Sequence, residues 1–308
     1  MPKLTQDSNI FEIEKRAIQF ARQAGSMLND RFGTPLQVEY KNSDTKDPVT
    51  NVDKEVEEFL VKAISNHYPE HGVIGEESPD DKNLVAPEWV WVLDPLDGTK
   101  NFLNSLPMFA CSIGVLYRGV PTVGALYISW PNETGGIVLH ARVGGGAFSQ
   151  ESRISVLRNE TPQAGYLATL PGVFNSAYRF RKSMQSKIGD VRVTGSIAFD
   201  LAMTAKGGFQ YSITNSPRIW DVAGAVVILK EVGMEVMVAS RVRGIKTILS
   251  SGLNWSPLVS FVSEWRSGIT SLQDLRQWSA PLVSGSPRIA REIANSLIKK
   301  KYSRRNLF

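Results

Sequence analysis

The residues best suited to carry chemistry lie in one stretch, where an apolar run meets two aspartates. Residues 89–93 read Trp-Val-Trp-Val-Leu, and Asp94, Asp97, Gly98 and Thr99 follow them closely. Apolar runs bounded by Pro and Gly are typical of buried strands, so we expect both carboxylates to lie on a tight turn where a strand ends. Burying two like charges together is costly unless a cation neutralises them. The stretch therefore predicts a metal site.

Three further acidic residues lie where other elements begin or end. Glu76 follows an apolar step that closes with Gly75, Asp53 lies in the first turn of a predicted helix, and Asp221 begins another helix. Small residues at 223–225 would let the positive end of that last helix approach a neighbour closely. Taken singly, Asp53 and Asp221 fit helix caps and Glu76 fits an exposed acidic loop. Taken together, these acids adjoin apolar segments that must be buried, which favours one shared site.

The donor atoms at these positions are all oxygens. The chain has one cysteine and three scattered histidines, too few for a sulfur or imidazole site. Oxygen ligands select hard cations, chiefly magnesium. Two such ions about 3.5–4 Å apart stabilise the attacking and leaving oxygens of a displacement at phosphorus. The backbone N–H groups near Gly98 and Thr99, with the helix start at Asp221, would supply an anion pocket.

Helix and strand signals alternate around these residues. Apolar spacing predicts helices over residues 10–32, after Thr50, and from residue 221 to residue 232. Short apolar runs within residues 112–142, separated by Gly, Pro and Asn, predict antiparallel hairpins. A serine and a proline at 286–287 predict a last helix that reaches about residue 300. This mixture of elements predicts stacked α and β layers.

Three motifs, taken in order, resemble the signatures of a known enzyme family. They are Gly75-Glu76-Glu77-Ser78, then Asp94-Pro95-Leu96-Asp97-Gly98-Thr99-Lys100-Asn101-Phe102, then Trp220-Asp221-Val222-Ala223-Gly224-Ala225. Their order and spacing, from roughly residue 10 to residue 240, are similar to those of the inositol monophosphatase family. That family belongs to the magnesium-dependent, lithium-sensitive phosphatase superfamily.

The resemblance implies an α/β fold in the form of a five-layered α/β/α/β/α sandwich of two lobes. Residues 1–190 would form an N-terminal lobe that carries most metal ligands. Residues 191–308 would form a C-terminal lobe that contributes Asp221 and substrate contacts.

The resemblance also implies a cofactor, two or three magnesium ions, and a role for each site residue. The implied metal ligands are Glu76, Asp94, the carbonyl group of Leu96, Asp97 and Asp221. Asp94 would be shared by two ions, and Glu76 with Asp53 would help a weaker third. The implied catalytic residues, which orient or deprotonate the attacking water, are Thr99, Asp53 and Glu76. The implied substrate contacts are Asp97, Gly98, Thr99, Ser196 and Asp221.

One position departs from the family pattern. Members that act on inositol phosphate usually place a ring-binding glutamate about seven residues before the motif aspartate, where this chain has Thr214, Asn215 and Ser216. We predict a magnesium-dependent phosphatase that hydrolyses a small phosphomonoester, such as an inositol phosphate or a sugar phosphate, with metal-activated water. One alternative is a 3′(2′),5′-bisphosphate nucleotidase-type activity, because Lys100 resembles the branch that cleaves 3′-phosphoadenosine phosphates, whereas Asn101 resembles the inositol phosphatase branch. Another is a non-catalytic regulatory or binding protein on the same fold.

Charge and hydrophobicity along the sequence indicate which partners and which cellular compartment to expect. The net charge is +5, and the densest basic cluster, Lys299-Lys300-Lys301 with Arg304 and Arg305, fits a solvated helix end. We therefore expect no nucleic acid partner. No apolar run approaches a membrane span, and the N-terminus lacks the apolar core of a signal peptide. We expect a cytoplasmic homodimer that binds a small phosphorylated substrate and no membrane. The tryptophan-containing segment 241–283 shows weak periodicity, and the sequence assigns it no role.

Overall fold

The computed structural model describes residues 7–40, 48–78, 84–130, 135–156, 160–241 and 253–300. The helices formed by these residues are α1 (Asp7–Arg31), α2 (Asn51–His67), α3 (Thr99–Leu103), α4 (Phe174–Ala177), α5 (Ile197–Ala205), α6 (Ile219–Glu231), α7 (Leu272–Arg276) and α8 (Pro287–Ser296), with a 3₁₀ helix at Lys182–Lys187. The strands that precede residue 160 are β1 (Val38–Tyr40), β2 (Pro48–Thr50), β3 (Gly72–Gly75), β4 (Trp89–Asp97), β5 (Ala110–Tyr117), β6 (Val120–Ile128), β7 (Ile137–Arg142), β8 (Gly146–Ser149) and β9 (Ser152–Arg153). The later strands are β10 (Leu167–Thr169), β11 (Tyr178–Phe180), β12 (Asp190–Arg192), β13 (Tyr211–Thr214), β14 (Glu235–Arg241), β15 (Leu253–Pro257), β16 (Leu282–Gly285) and β17 (Leu297–Lys299).

Two large sheets lie on either side of a pair of helices. The first sheet has the strand order β3-β4-β5-β6-β7-β8-β9, and the second has the order β12-β10-β13-β16-β14-β15. Helices α1 and α2 pack on the outer face of the first sheet, α5 and α6 lie between the sheets, and α8 covers the outer face of the second. This is the layered α/β/α/β/α sandwich that the resemblance implies. The lobe boundary near residue 190 stays a prediction.

Strand β4 carries the two aspartates and is longer than its apolar run predicts. It is buried from Val90 to Leu96, as befits a strand covered on both faces. The prediction that it ends before Asp94 is wrong, because β4 continues to Asp97 and its pairing with β5 shifts register between those two residues. Pro95 lies inside this register shift, where strand pairing does not require the backbone N–H that proline lacks. Such a bulge re-aims the side chains beside it.

Helix α6 lies close against the first sheet because glycines meet at the contact. A Cβ atom built on Gly114 would lie 2.6 Å from the side chain of Ala223. One built on Gly124 would lie 2.1 Å from the carbonyl oxygen of Gly224. The small residues thus permit the close approach that the sequence predicts. The helix begins at Ile219, slightly earlier than predicted.

The C-terminal end differs from its prediction. Helix α8 stops at Ser296, well before residue 300, and Leu297–Lys299 form β17, which pairs antiparallel with β11. The extended backbone buries Leu297 in the core beside Tyr178, which explains why the helix does not continue. The basic cluster is therefore not a helix end at Lys299, and its members beyond residue 300 lie outside the described residues. In the described parts of the chain, no helix has the length and apolarity to cross a membrane.

Candidate metal centre and active site

The fold brings the five predicted acidic residues to one end of the first sheet. Strand β4 supplies Asp94 and Asp97, and the parallel neighbour β3 leads into Glu76 at the same edge. The first turn of α2 supplies Asp53, and the first turn of α6 supplies Asp221. Acids that are far apart in the sequence therefore face one another.

Asp94 lies at the centre of this group and is 1% exposed. Loss of water raises its pKa well above the usual value, and the remaining causes that raise it are the charges of Glu76, Asp97, Asp221 and Asp53. Its Oδ1 accepts one hydrogen bond, from the backbone N–H of Leu96 at 3.1 Å. The surroundings of Asp94 thus disfavour the ionised form of its carboxyl group.

Asp97 is fixed to the start of α5. Its Oδ2 accepts hydrogen bonds from the hydroxyl group of Ser196, at 2.8 Å, and from the backbone N–H of Ala198. Burial raises its pKa to about 7, against the lowering effect of these two hydrogen bonds, and the charge of Glu76 adds to the increase. Ser196 is the N-cap of α5 and accepts the N–H of Phe199. The predicted substrate contact Ser196 therefore lies directly beside Asp97.

Thr99 and Asp53 contact each other. Oγ1 of Thr99 lies 3.2 Å from Oδ1 of Asp53 and 3.1 Å from the carbonyl oxygen of Leu96. Oδ2 of Asp53 accepts the backbone N–H of Thr50 at 2.8 Å and also its hydroxyl group, which closes a capping box. Burial raises the pKa of Asp53. Asp53 therefore caps α2 with one oxygen and holds the Thr99 hydroxyl group with the other.

Gly98 precedes Thr99 and is the N-cap of α3. Its φ of +94° is in the left-handed region that favours glycine. No side chain caps α3 at this position. The hydroxyl group of Thr99 is directed to Asp53 and Leu96 instead, so Thr99 is not a helix cap.

Asp221 both caps α6 and faces the acidic group. Its Oδ2 accepts the backbone N–H of Arg218 at 2.8 Å. Burial is the main cause that raises its pKa, the charge of Asp97 adds to this, and the Arg218 contacts oppose it. The hydroxyl group of Ser112 on β5 donates to the carbonyl oxygen of Trp220 at 3.1 Å. This bond ties the first turn of α6 to the first sheet.

The acidic side chains lie near one another, but their carboxylate groups do not converge on a common position. Across the described ranges, no three His, Cys, Asp or Glu side chains stand close enough to hold a metal ion. Asp97 and Asp221 are instead directed onto backbone N–H groups. The donor set still fits a hard divalent cation, because it consists of carboxylate and carbonyl oxygens. Burial is the main cause of the raised pKa values of Asp53, Asp94, Asp97 and Asp221, and repulsion between the acids adds to it. A bound cation would oppose both effects.

Two charged residues beside the site were missed from the sequence. Glu57 on α2 and Arg276 on α7 both contact the loop at residues 75–78. Glu57 lies one helical turn after Asp53 on the same face of α2, which is a weak signal. No sequence signal pointed to Arg276, which lies in the segment 241–283. Residues 242–252 of that segment lie outside the described residues.

Comparison with known proteins identifies the family to which this chain belongs. The sequence model of the inositol monophosphatase family matches residues 10–274. The inositol-1-monophosphatase of Bacillus subtilis (strain 168) is 33% identical over 230 residues, which are 73% of this chain and 85% of that protein. The fructose-1,6-bisphosphatase/inositol-1-monophosphatase of Aquifex aeolicus (strain VF5) is 32% identical over 235 residues, 75% of this chain and 87% of that protein. The crystal structure of inositol monophosphatase-II from Staphylococcus aureus MSSA476 matches 94% of this chain and 96% of its own, with a TM-score of 0.68 and 25% identity.

Proposed function

The chain belongs to the inositol monophosphatase family and is a phosphoric monoester hydrolase, and we propose that it is a magnesium-dependent enzyme that hydrolyses a small phosphomonoester with water. The observation that carries this proposal is the position of Asp94. It is 1% exposed, and this burial raises its pKa, with four other acidic groups adding to the increase. Such a charge cluster is costly to keep ionised without a cation. A divalent cation offsets this cost, so the cluster is best explained as a metal site.

We assign the metal ligands as the resemblance implies: Glu76, Asp94, the carbonyl group of Leu96, Asp97 and Asp221, for two or three magnesium ions. When bound, divalent cations stabilise the charge on the attacking and leaving oxygens and lower the pKa of water. The central position of Asp94 suits a ligand shared between ions. The hydrogen bonds described above for Asp97 and Asp221 end on Oδ2 of each carboxylate, and we assign Oδ1 of each to the metal.

The protein's own groups orient the reaction. Thr99 donates its hydroxyl hydrogen towards Asp53 and Leu96, so its oxygen lone pairs are available to accept a hydrogen bond from the attacking water. The carboxylate of Asp53 lies next in this chain, and its raised pKa suits a group that receives a proton. Glu76 would assist, as the resemblance implies. The backbone N–H groups of Gly98 and Thr99 would hold the phosphate oxygens, with Ser196 positioning Asp97.

The substrate is proposed to be a sugar phosphate or a related small phosphomonoester, without strong selection for inositol. Thr214 is buried in β13, and the side-chain oxygen of Asn215 accepts the Tyr178 hydroxyl group at 2.7 Å. Neither side chain offers the carboxylate that binds ring hydroxyl groups. The Aquifex relative, named for both fructose-1,6-bisphosphate and inositol-1-phosphate, supports a broad substrate range. We also propose a cytoplasmic location and a homodimeric state, and light scattering would test the homodimer.

The test is phosphate release from a panel of inositol phosphates, sugar phosphates and nucleoside 3′,5′-bisphosphates, with magnesium and with a chelator. We expect release from several sugar phosphates, dependent on magnesium, and none from an Asp94→Asn variant. Release that continues at the same rate in the chelator would contradict the metal assignment. Phosphate release from the nucleoside 3′,5′-bisphosphates alone would favour the nucleotidase alternative.

A further inference from the structure

The loop that carries Glu76 is held on one side by a buried carboxylate. Glu57 is 5% exposed. Its Oε2 accepts the backbone N–H of Glu77 at 2.9 Å, and its Oε1 accepts the hydroxyl group of Ser78 at 2.6 Å. The carboxylate lies directly against Gly75, where a Cβ atom would come within 2.4 Å of it. Glu57 therefore takes up hydrogen-bond donors of the loop.

Arg276 holds the same loop through its acceptors. Nη1 donates to the carbonyl oxygen of Gly75, and Nη2 donates to the carbonyl oxygens of Glu76, at 3.2 Å, and Ser78, at 2.7 Å. The planar guanidinium group presents several N–H donors in a fixed fork, which the ammonium group of lysine does not reproduce. Three carbonyl groups of one short loop thus converge on a single side chain.

The guanidinium group of Arg276 also contacts the helix that carries Asp221. Its Cζ atom lies 5.0 Å from the centre of the Trp220 ring, within the range of a cation–π contact. Trp220 directly precedes Asp221 in the first turn of α6. Arg276 therefore contacts both the loop that carries Glu76 and the turn that carries Asp221.

We propose that Arg276 is a positioning residue. Together with Glu57, which accepts hydrogen bonds from the same loop, it sets the loop of Glu76 relative to the Asp221 turn of α6. The contacts stand on their own, while the consequence for metal binding rests on the proposed function. Groups that contact the metal ligands, or the segments that carry them, orient those ligands without binding the metal themselves. The family model ends at residue 274, so Arg276 lies just beyond the matched part of this chain.

The first test is hydrogen–deuterium exchange of the metal-free protein. Arg276→Met removes the guanidinium group with its three hydrogen bonds and its contact with Trp220. Arg276→Lys keeps the charge without the fork, and Arg266→Met is the matched control. Arg266 lies in the same C-terminal segment, and its exposed ion pair with Glu264 is local. We expect Arg276→Met to accelerate exchange in residues 72–78 and 218–224 together. Exchange in Arg276→Lys should lie between that of Arg276→Met and that of the wild type, and the control should match the wild type.

Trp220→Leu provides a second variant, because it removes the ring and leaves the loop contacts of Arg276 in place. It should accelerate exchange in residues 218–224 without a matching change in residues 72–78. Acceleration confined to α7, or uniform acceleration along the whole chain, in Arg276→Met would overturn the proposal and leave Arg276 a purely structural residue.

The second test is calorimetric titration of magnesium without substrate. Arg276→Met should weaken magnesium binding by about 10- to 100-fold, as loss of an orienting partner does, and high magnesium should restore kcat. A lower melting temperature with unchanged magnesium affinity would overturn the positioning role. If the wild type binds no magnesium and releases no phosphate, the proposed function fails, whereas the exchange experiment still decides whether Arg276 couples the two segments.

Discussion

Replacing Asp97 by asparagine should make the metal-free protein more stable while abolishing its activity. The hydrogen bonds from Ser196 and Ala198 both end on Oδ2 of the carboxylate. The carbonyl oxygen of an asparagine can accept both, with its amide group in the place of Oδ1. The substitution therefore removes the charge of Asp97 with little change in its contacts.

The size of the effect follows from the pKa. Burial raises the pKa of Asp97 from 3.8 to about 7. Each pKa unit corresponds to about 1.4 kcal/mol, so ionising this carboxyl group costs about 4 kcal/mol more in the folded state than in the unfolded state. The folded state binds the proton more tightly than the unfolded state, so this stability is present below pH 3.8 and is lost as the pH rises to about 7. The free energy of unfolding of Asp97→Asn should thus exceed that of the metal-free wild type by about 4 kcal/mol near pH 8, and by less than half as much near pH 5.

The assay is thermal unfolding of both proteins in a chelator, between about pH 5 and pH 8. A change of about 2 °C per kcal/mol for a chain of this size gives a difference near 8 °C at the upper pH. His71, whose pKa burial lowers to about 4, adds stability with rising pH in both proteins and cancels in the difference. The reasoning is refuted if the two melting temperatures differ equally at every pH, or if the variant is the less stable protein at pH 8.

Three further predictions concern the reaction, the packing and the substrate. Thr99→Ala should lower kcat on the order of a hundredfold at unchanged KM and magnesium affinity, because the hydroxyl group beside Asp53 acts on the attacking water and not on the bound ester; wild-type turnover with a lower melting temperature would remove Thr99 from the mechanism. Gly124→Ala should lower the free energy of unfolding in urea by about 1–3 kcal/mol, because its Cβ atom would overlap Gly224, whereas Gly165→Ala, with no atom within 4 Å, should not. Specificity constants for several sugar phosphates should be comparable to that for inositol phosphate, since no glutamate stands at the ring-binding position, and an inositol preference of about a thousandfold, roughly 4 kcal/mol, would contradict this.

The sequence predicts the acidic residues because their signals are local. The apolar run before Asp94, the capping pattern around Asp53 and the small residues after Asp221 are each visible within a few positions. The close approach of α6 to the first sheet, confirmed at Gly124, could also be predicted from residue size alone. The layered fold followed from the family resemblance.

The features that were predicted wrongly or missed depend on distant partners. Strand β4 extends to Asp97 because β5 pairs with it across a register shift, and α8 stops at Ser296 because the next residues pair with β11. Arg276 lies 201 residues from Gly75, whose carbonyl group it binds. No local pattern records such contacts, so only the folded chain reveals them.

The central claim is that Asp94 lies at the centre of a divalent cation site, and titration of magnesium by calorimetry tests it most directly. Asp94→Asn is the variant of choice, because its amide oxygen can keep the hydrogen bond from the N–H of Leu96. The wild type should bind magnesium and release protons, since binding ionises carboxyl groups whose pKa values are raised. Asp94→Asn should lose both the heat of binding and phosphate release. Magnesium binding of equal affinity and stoichiometry in Asp94→Asn would contradict the account.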